Sequence, residues 1–272
     1  MAAMNDAVAP ATEGSPCGAP ALAQRGFTLV ELAIVMFIVA LLLGGMLLPL
    51  SAQQDVRSYG DTQKLLSDAR DALQGFAMAN DRLPCPASAA SNGVESPVGG
   101  GVCTNPHDGF FPAATVGMAP VDGSGYLVDG WGSDIDNRVR YAVSTANTNA
   151  LTTVSGMKTT GITALLPDLE ICNSGAQVRI PPVITAPDTT TMYCHPSARL
   201  AQDAVAVIYS LGKNAGTGGA GADETHNPNP RSITAADRAF VNAQQGTNFD
   251  DQMIWLSKGT LFNRMVASGR LP

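Results

Sequence analysis

Four carboxylates fall on two short turn-rich stretches, Asp223-Glu224 and Asp250-Asp251. Hard oxygen donors in that number suit calcium, which takes six to eight of them. If a hairpin brings the two stretches together, calcium is the expected ion. Paired acids on loops are often simply solvated, and no EF-hand spacing is present. Another acid, Glu31, has a different setting: it heads Leu32–Leu50, 19 residues with no charge and no hydrogen-bonding side chain. Carrying a carboxylate to a bilayer centre costs roughly 2.5–3.5 kcal/mol on insertion scales, so an acid there calls for a partner. The bland alternative is a plain signal anchor with Glu31 at headgroup level. Other chemistry is poorly provided for. His107, His195 and His226 are isolated in sequence, which disfavours zinc. Gly123-Ser124-Gly125 lacks the spacing of a nucleophile elbow, and Gly216–Gly221 lacks the Gly-Lys-Ser/Thr ending of a phosphate loop. With no base, nucleophile and oxyanion donor in one frame, an enzyme is not expected.

The elements that must carry these residues follow from periodicity. A helix the length of Leu32–Leu50 spans roughly 28 Å, close to a bilayer's hydrocarbon thickness. Phe27–Asn80 reads as one helix, with Gly44, Gly45 and Pro49 as places where its apolar half can bend. Beyond Ser51 it turns amphipathic. Val56, Tyr59, Leu66, Leu73 and Phe76, with Leu65, Ala69 and Ala72 beside them, recur at spacings near three and four. Such a stripe needs a cover, and a globular domain is preferred to a coiled coil. Pro84 and Pro86 stop the helix. Thereafter residues 87–127 read as loop and Arg138–Val143 as a strand entered from a turn at Asp129–Gly132. Residues 144–164 suit an exposed excursion or short edge strands. Val178–Thr185, broken by Pro181 and Pro182, can only be an edge strand. Ala204–Leu211 is the best central strand, Phe249–Leu256 is another, and Ser257 is placed to cap a helix over Lys258–Ala267.

Arg25-Gly26-Phe27-Thr28-Leu29-Val30-Glu31, followed by the apolar run, resembles the processing site of type IV prepilins and type II secretion pseudopilins. The resemblance implies that prepilin peptidase cuts after Gly26 on the cytoplasmic side and that the new amine on Phe27 is N-methylated. It implies that Glu31 pairs with the Phe27 amine of a neighbouring pilin or pseudopilin subunit during assembly. The implied fold is α+β, a long N-terminal helix on an antiparallel sheet. The organisation is then 1–26 as a cleaved cytoplasmic leader, 27–50 as the transmembrane and assembly half of the helix, 51–80 as its amphipathic half, and 81–272 as a β-rich extracytoplasmic domain. Looser similarities lie in Leu83-Pro84-Cys85-Pro86 and in the Asp-x-Trp-Gly turn around Trp131. Some pseudopilins bind calcium in the loop corresponding to the acids above.

The cysteine count fits such processing. Five cysteines are an odd number, but Cys17 lies in the leader, leaving Cys85, Cys103, Cys172 and Cys194. Four cysteines in an exported domain suggest two disulfides with three possible connectivities. Pairing sequence neighbours gives Cys85–Cys103 and Cys172–Cys194, each closing a loop of about 20 residues and worth roughly 3 kcal/mol. The formal charge of −7 without basic clusters argues against general binding to nucleic acid. The expected location is the inner membrane, single-pass with the C-terminal domain in the periplasm, and then an extracytoplasmic filament. The leading function is that of a minor pilin or pseudopilin, because residues 81–272 make a large body. The alternatives are a filament-displayed adhesin or ligand-binding module, using loops at 87–127, 144–164 or 215–231, and a singly anchored enzyme.

Overall fold

The computed structural model describes residues 26–132, 134–179, 193–217, 221–227 and 238–271. Of the cleaved leader expected at 1–26, residues 1–25, with Cys17 and Arg25, lie outside them, as does most of the edge strand expected at Val178–Thr185. The chain divides into two units, Met1–Leu50 and Ser51–Pro272.

Helix α1, Leu29–Asn80, runs through the boundary. In the first unit it starts two residues later than Phe27 because Thr28 caps it. Thr28 Oγ1 accepts from the Glu31 backbone N–H at 3.2 Å and Thr28 O accepts from Leu32 N at 3.1 Å. Thr28-x-x-Glu31 thus has the spacing of a capping box, with an acid in the first turn where the helix dipole favours it. Every described side chain from Gly26 to Gly44 is exposed. Among the described residues no helix is long and apolar enough to cross a membrane, and the described side chains of this run end at Gly44.

In the second unit α1 buries Leu66, Ala69, Leu73 and Ala77, one stripe at helical spacing. Val56, expected in that stripe, is 72% exposed: it lies a turn before the covered segment begins at Tyr59 and Thr62. Thr62 fixes the register. Its Oγ1 donates to Ser58 O at 2.7 Å and accepts from Gly130 N at 2.9 Å. A side chain at Gly130 would lie 2.5 Å from Ser58 O, so only glycine lets the turn approach the helix this closely.

The cover is a six-stranded sheet of β1 (Gly109–Phe110), β2 (Arg140–Val143), β3 (Leu169–Cys172), β6 (Arg199–Ser210), β7 (Ala239–Val241) and β8 (Gln252–Ser257). Strands β4 (Val178–Arg179) and β5 (Tyr193–Cys194) form a separate pair. The fold is α+β. The sheet is antiparallel except for β3 against β7, which is parallel. The twelve-residue β6 is the hub, pairing with β2, β3 and β8. Its Ala204–Ser210 segment is buried on both faces. Val205 and Ile208 join the core under α1, whereas Val207 and Tyr209 join a second cluster with Leu169, Ile171 and Phe240.

Two local expectations change. Residues 144–164 form short helical turns, Ala146–Asn149 and Gly156–Thr160, because Asn147, Thr148, Asn149 and Ser155 adopt positive φ and cannot extend. Strand β8 begins at Gln252 rather than Phe249, because Asp250 and Asp251 are drawn into a side-chain cluster described below. The helix Lys258–Ala267 is capped by Ser257, whose Oγ accepts from Thr260 N at 3.2 Å. Trp131 is half-buried rather than part of the core.

Of the connectivities open to four cysteines, the structure contains Cys85–Cys103 and Cys172–Cys194. Beside the first bridge lies a buried ion pair. Arg82 Nη1 and Nη2 donate to Glu95 Oε2 and Oε1 at 2.7 and 2.6 Å. Cys85 N and Gly99 N donate to the same carboxylate at 3.1 and 3.0 Å. Burial alone would raise the Glu95 pKa, but Arg82 and these two N–H groups outweigh it and hold the carboxyl below the usual glutamate value.

Candidate functional site

Two places gather the residues singled out by sequence, one in each unit. In the first, Gly26, Phe27 and Glu31 occupy the entry to α1. Gly26 and Phe27 precede the helix, Phe27 is 84% exposed, and Glu31 sits in the first turn under the Thr28 cap. A protease needs an accessible segment outside regular structure, and Gly26 and Phe27 lie ahead of the Thr28 cap and are exposed. The helix beyond exposes Leu29, Val30, Leu32, Ile34, Val35, Met36, and so on around its circumference. A helix apolar all round is built to be covered by lipid or by other helices.

In the second unit the structure brings together Glu224, Asp250 and Asp251, which can each place one carboxylate oxygen within 4.8 Å of the others. Asp223 stays apart. Its Oδ1 accepts from Gly175 N at 2.6 Å and Ser174 Oγ at 3.1 Å, pinning the turn before β4. The cluster is built from the loop after β6 and the approach to β8. Gly212 is required at that turn: its φ is +67°, and a Cβ would lie 2.6 Å from the Asp250 carboxylate.

The carboxylates are partly tied. Asp250 N donates to Glu224 Oε1 at 2.8 Å, Asn214 N to Asp250 Oδ2 at 3.2 Å, and Asn227 Nδ2 to Asp251 Oδ2 at 2.5 Å. Asp250 Oδ1 and Asn214 Oδ1 are buried without a hydrogen-bond partner. Burial, reinforced by Glu224, pushes the Asp250 carboxyl up to about 6. Burial, opposed by Asn227 and reinforced by Glu224 and Asp250, pushes Asp251 up to about 8. Three crowded acids and two unmet oxygens form a donor set of hard oxygens only. That set fits calcium and does not fit a soft-ligand metal.

Sequence reasoning missed a third place, around Arg140 and Asp108. The signal was available: Arg138 and Arg140 alternate along a strand, and such spacing puts both on one face of the sheet. Arg138 meets Asp122 at 2.6 Å and stacks on Tyr126.

The prokaryotic N-terminal methylation motif matches residues 22–47 of the chain. This is the signal of type IV prepilins and pseudopilins, and it contains Gly26, Phe27 and Glu31. The motif supports a type IV pilin-like or pseudopilin subunit in general terms and points to a structural rather than an enzymatic class. No curated protein and no solved structure matches the chain.

Proposed function

We propose that the chain is a minor subunit of a type IV pilus or type II secretion filament. Prepilin peptidase cuts it after Gly26, Phe27 is N-methylated, and the subunit copolymerises through its N-terminal helix. The observation that carries the reading is the coincidence of Gly26, Phe27 and Glu31 at the entry of a helix whose first part, after Glu31, is an apolar run, inside the matched motif. In this reading Glu31 stays in the first turn and meets the Phe27 ammonium of an adjoining subunit. An acid in an apolar setting is best retained when a cation compensates it. The subunit waits in the inner membrane with residues 51–272 outside the cytoplasm, then leaves with the filament. The size of the body after Asn80 supports a minor role. Glu31→Val tests the assembly step: the variant is still cut and methylated but enters filaments poorly. Equal incorporation of Glu31→Val and wild type, or an uncut precursor beside an active prepilin peptidase, would defeat the reading.

We also propose that Glu224, Asp250 and Asp251 hold Ca²⁺, with Asn214 Oδ1 as a further oxygen donor. The ion would neutralise the crowded carboxylates and tie the loop after β6 to the approach to β8. Calcium should then raise the Tm of the full chain, and Asp251→Asn should lose that response. No shift with millimolar calcium, or the same shift in Asp251→Asn, rejects the site.

A further inference from the structure

Lys213 follows the end of β6 and reaches back to α1, where its Nζ donates to Asp55 Oδ2 at 2.7 Å. Among the described residues this is the one ion pair that joins α1 to another element. It lies a turn ahead of Tyr59, where the covered part of the helix begins, and neighbouring Val56 is exposed. Both charged side chains also meet solvent, so the pair is weak unless the turn that carries the lysine is held still.

That turn has one fixed end and one conditional end. Gly212 N donates to Ser210 Oγ at 3.0 Å, and Gly212 O accepts from Asn137 Nδ2 at 3.2 Å. Ser210 Oγ in turn donates to the buried Asp129 at 2.5 Å. None of these contacts uses the acid cluster. Asn214 is different: its N donates to Asp250 Oδ2 at 3.2 Å and its Nδ2 to Glu224 Oε2 at 3.1 Å. Its Oδ1 is buried without a hydrogen-bond partner. Glu224, Asp250 and Asp251 can each bring an oxygen within 4.8 Å of the others, and ionised carboxylates so close repel until a cation stands among them. Lys213 therefore sits between a residue that the fold holds and one whose hold depends on a cation.

We propose that Lys213 is a strap through which calcium at the Glu224–Asp250–Asp251 cluster tightens the grip of the sheet loops on α1. The inference rests on the calcium reading given above. With the cluster neutralised, Asn214 is held as firmly as Gly212, and the Lys213 backbone is fixed at both ends. Less freedom is then lost when the side chain meets Asp55, so the pair forms more fully. The gripped part of the helix starts at Asp55 instead of Tyr59, about one turn earlier. Without calcium the same lysine is shared with solvent, and the amides of residues 52–58 open more often.

The test is hydrogen–deuterium exchange of the full chain in detergent, with millimolar calcium chloride or with EGTA. Exchange is read at residues 52–58 and, separately, at residues 212–214 and 250–252. In wild type calcium should slow exchange in both regions, in the helix segment by about two- to fivefold, the range of an exposed ion pair. Lys213→Met and Asp55→Asn each remove the pair from one side. Both should keep the calcium response of the loops and lose that of the helix. Asp55→Asn leaves the turn itself untouched, so it carries the test if Lys213→Met disturbs the loop. No loop response to calcium in wild type rejects the site and the strap together. A loop response without a helix response in wild type, or a helix response that survives in Asp55→Asn, overturns the strap and leaves the calcium site standing.

Discussion

Arg82 and Arg140 are both buried beside a single carboxylate, but their partners meet them differently. Glu95 takes both ends of the Arg82 guanidinium and two backbone N–H groups besides. Asp108 takes one nitrogen of Arg140 and leaves Nε and Nη2 buried without a hydrogen-bond partner. The carboxyl pKa values follow the contacts: Glu95 is held below its usual value, while Asp108 is pushed up to about 6. A saturated pair is part of the scaffold, since it has nothing left to offer a ligand. An unsaturated one carries the cost of buried donors that its partner does not meet.

The largest expected effect separates the two by stability. Glu95→Gln leaves the Arg82 charge buried without its partner and should cost about 3–5 kcal/mol in denaturant unfolding. Asp108→Asn removes one long contact and should cost less than half of that, about 1–2 kcal/mol. Equal losses would erase the distinction drawn here.

The second effect is the sign of the pH dependence. Glu95, depressed in the folded state, contributes stability that is present at neutral pH and is lost as pH falls below the ordinary glutamate range. Asp108, raised in the folded state, does the opposite. Between about pH 4 and 6 the folded chain binds more protons there, so its contribution is present at low pH and lost as pH rises through about 6. Subtracting each neutral variant's unfolding free energy from wild type across pH 3.5–7.5 should give slopes of opposite sign. The smallest effect belongs to an exposed pair, Lys213 with Asp55 at 2.7 Å. Lys213→Ala should change stability by less than about 1 kcal/mol, which sets the floor against which the buried pairs are read.

Much of the fold is legible without coordinates. The amphipathic stripe through Leu66, Leu73 and Ala69, the stop at Pro84, the central strand at Ala204–Leu211 and the Ser257 cap all depend on neighbours within a few residues. Their physical causes are periodicity, missing N–H groups and capping, which act locally. Val56 misled because periodicity says which face is apolar but not how far along the helix a cover extends. Asn147–Asn149 misled because a polar run fits either a left-handed turn or an edge strand, and only packing chooses.

The chain alone determined the processing signal. Gly26, Phe27, Glu31 and the apolar run are contiguous, and covalent order by itself sets their spacing. Tertiary structure decided which charges meet. Glu224 joins Asp250 and Asp251 while adjacent Asp223 turns to Ser174 and Gly175. Arg82 finds Glu95 across 13 residues, and Arg140 reaches Asp108 across 32. Electrostatic and hydrogen-bonding partners act over a few ångströms of space, so long-range pairings exist only once the sheet and its loops have closed.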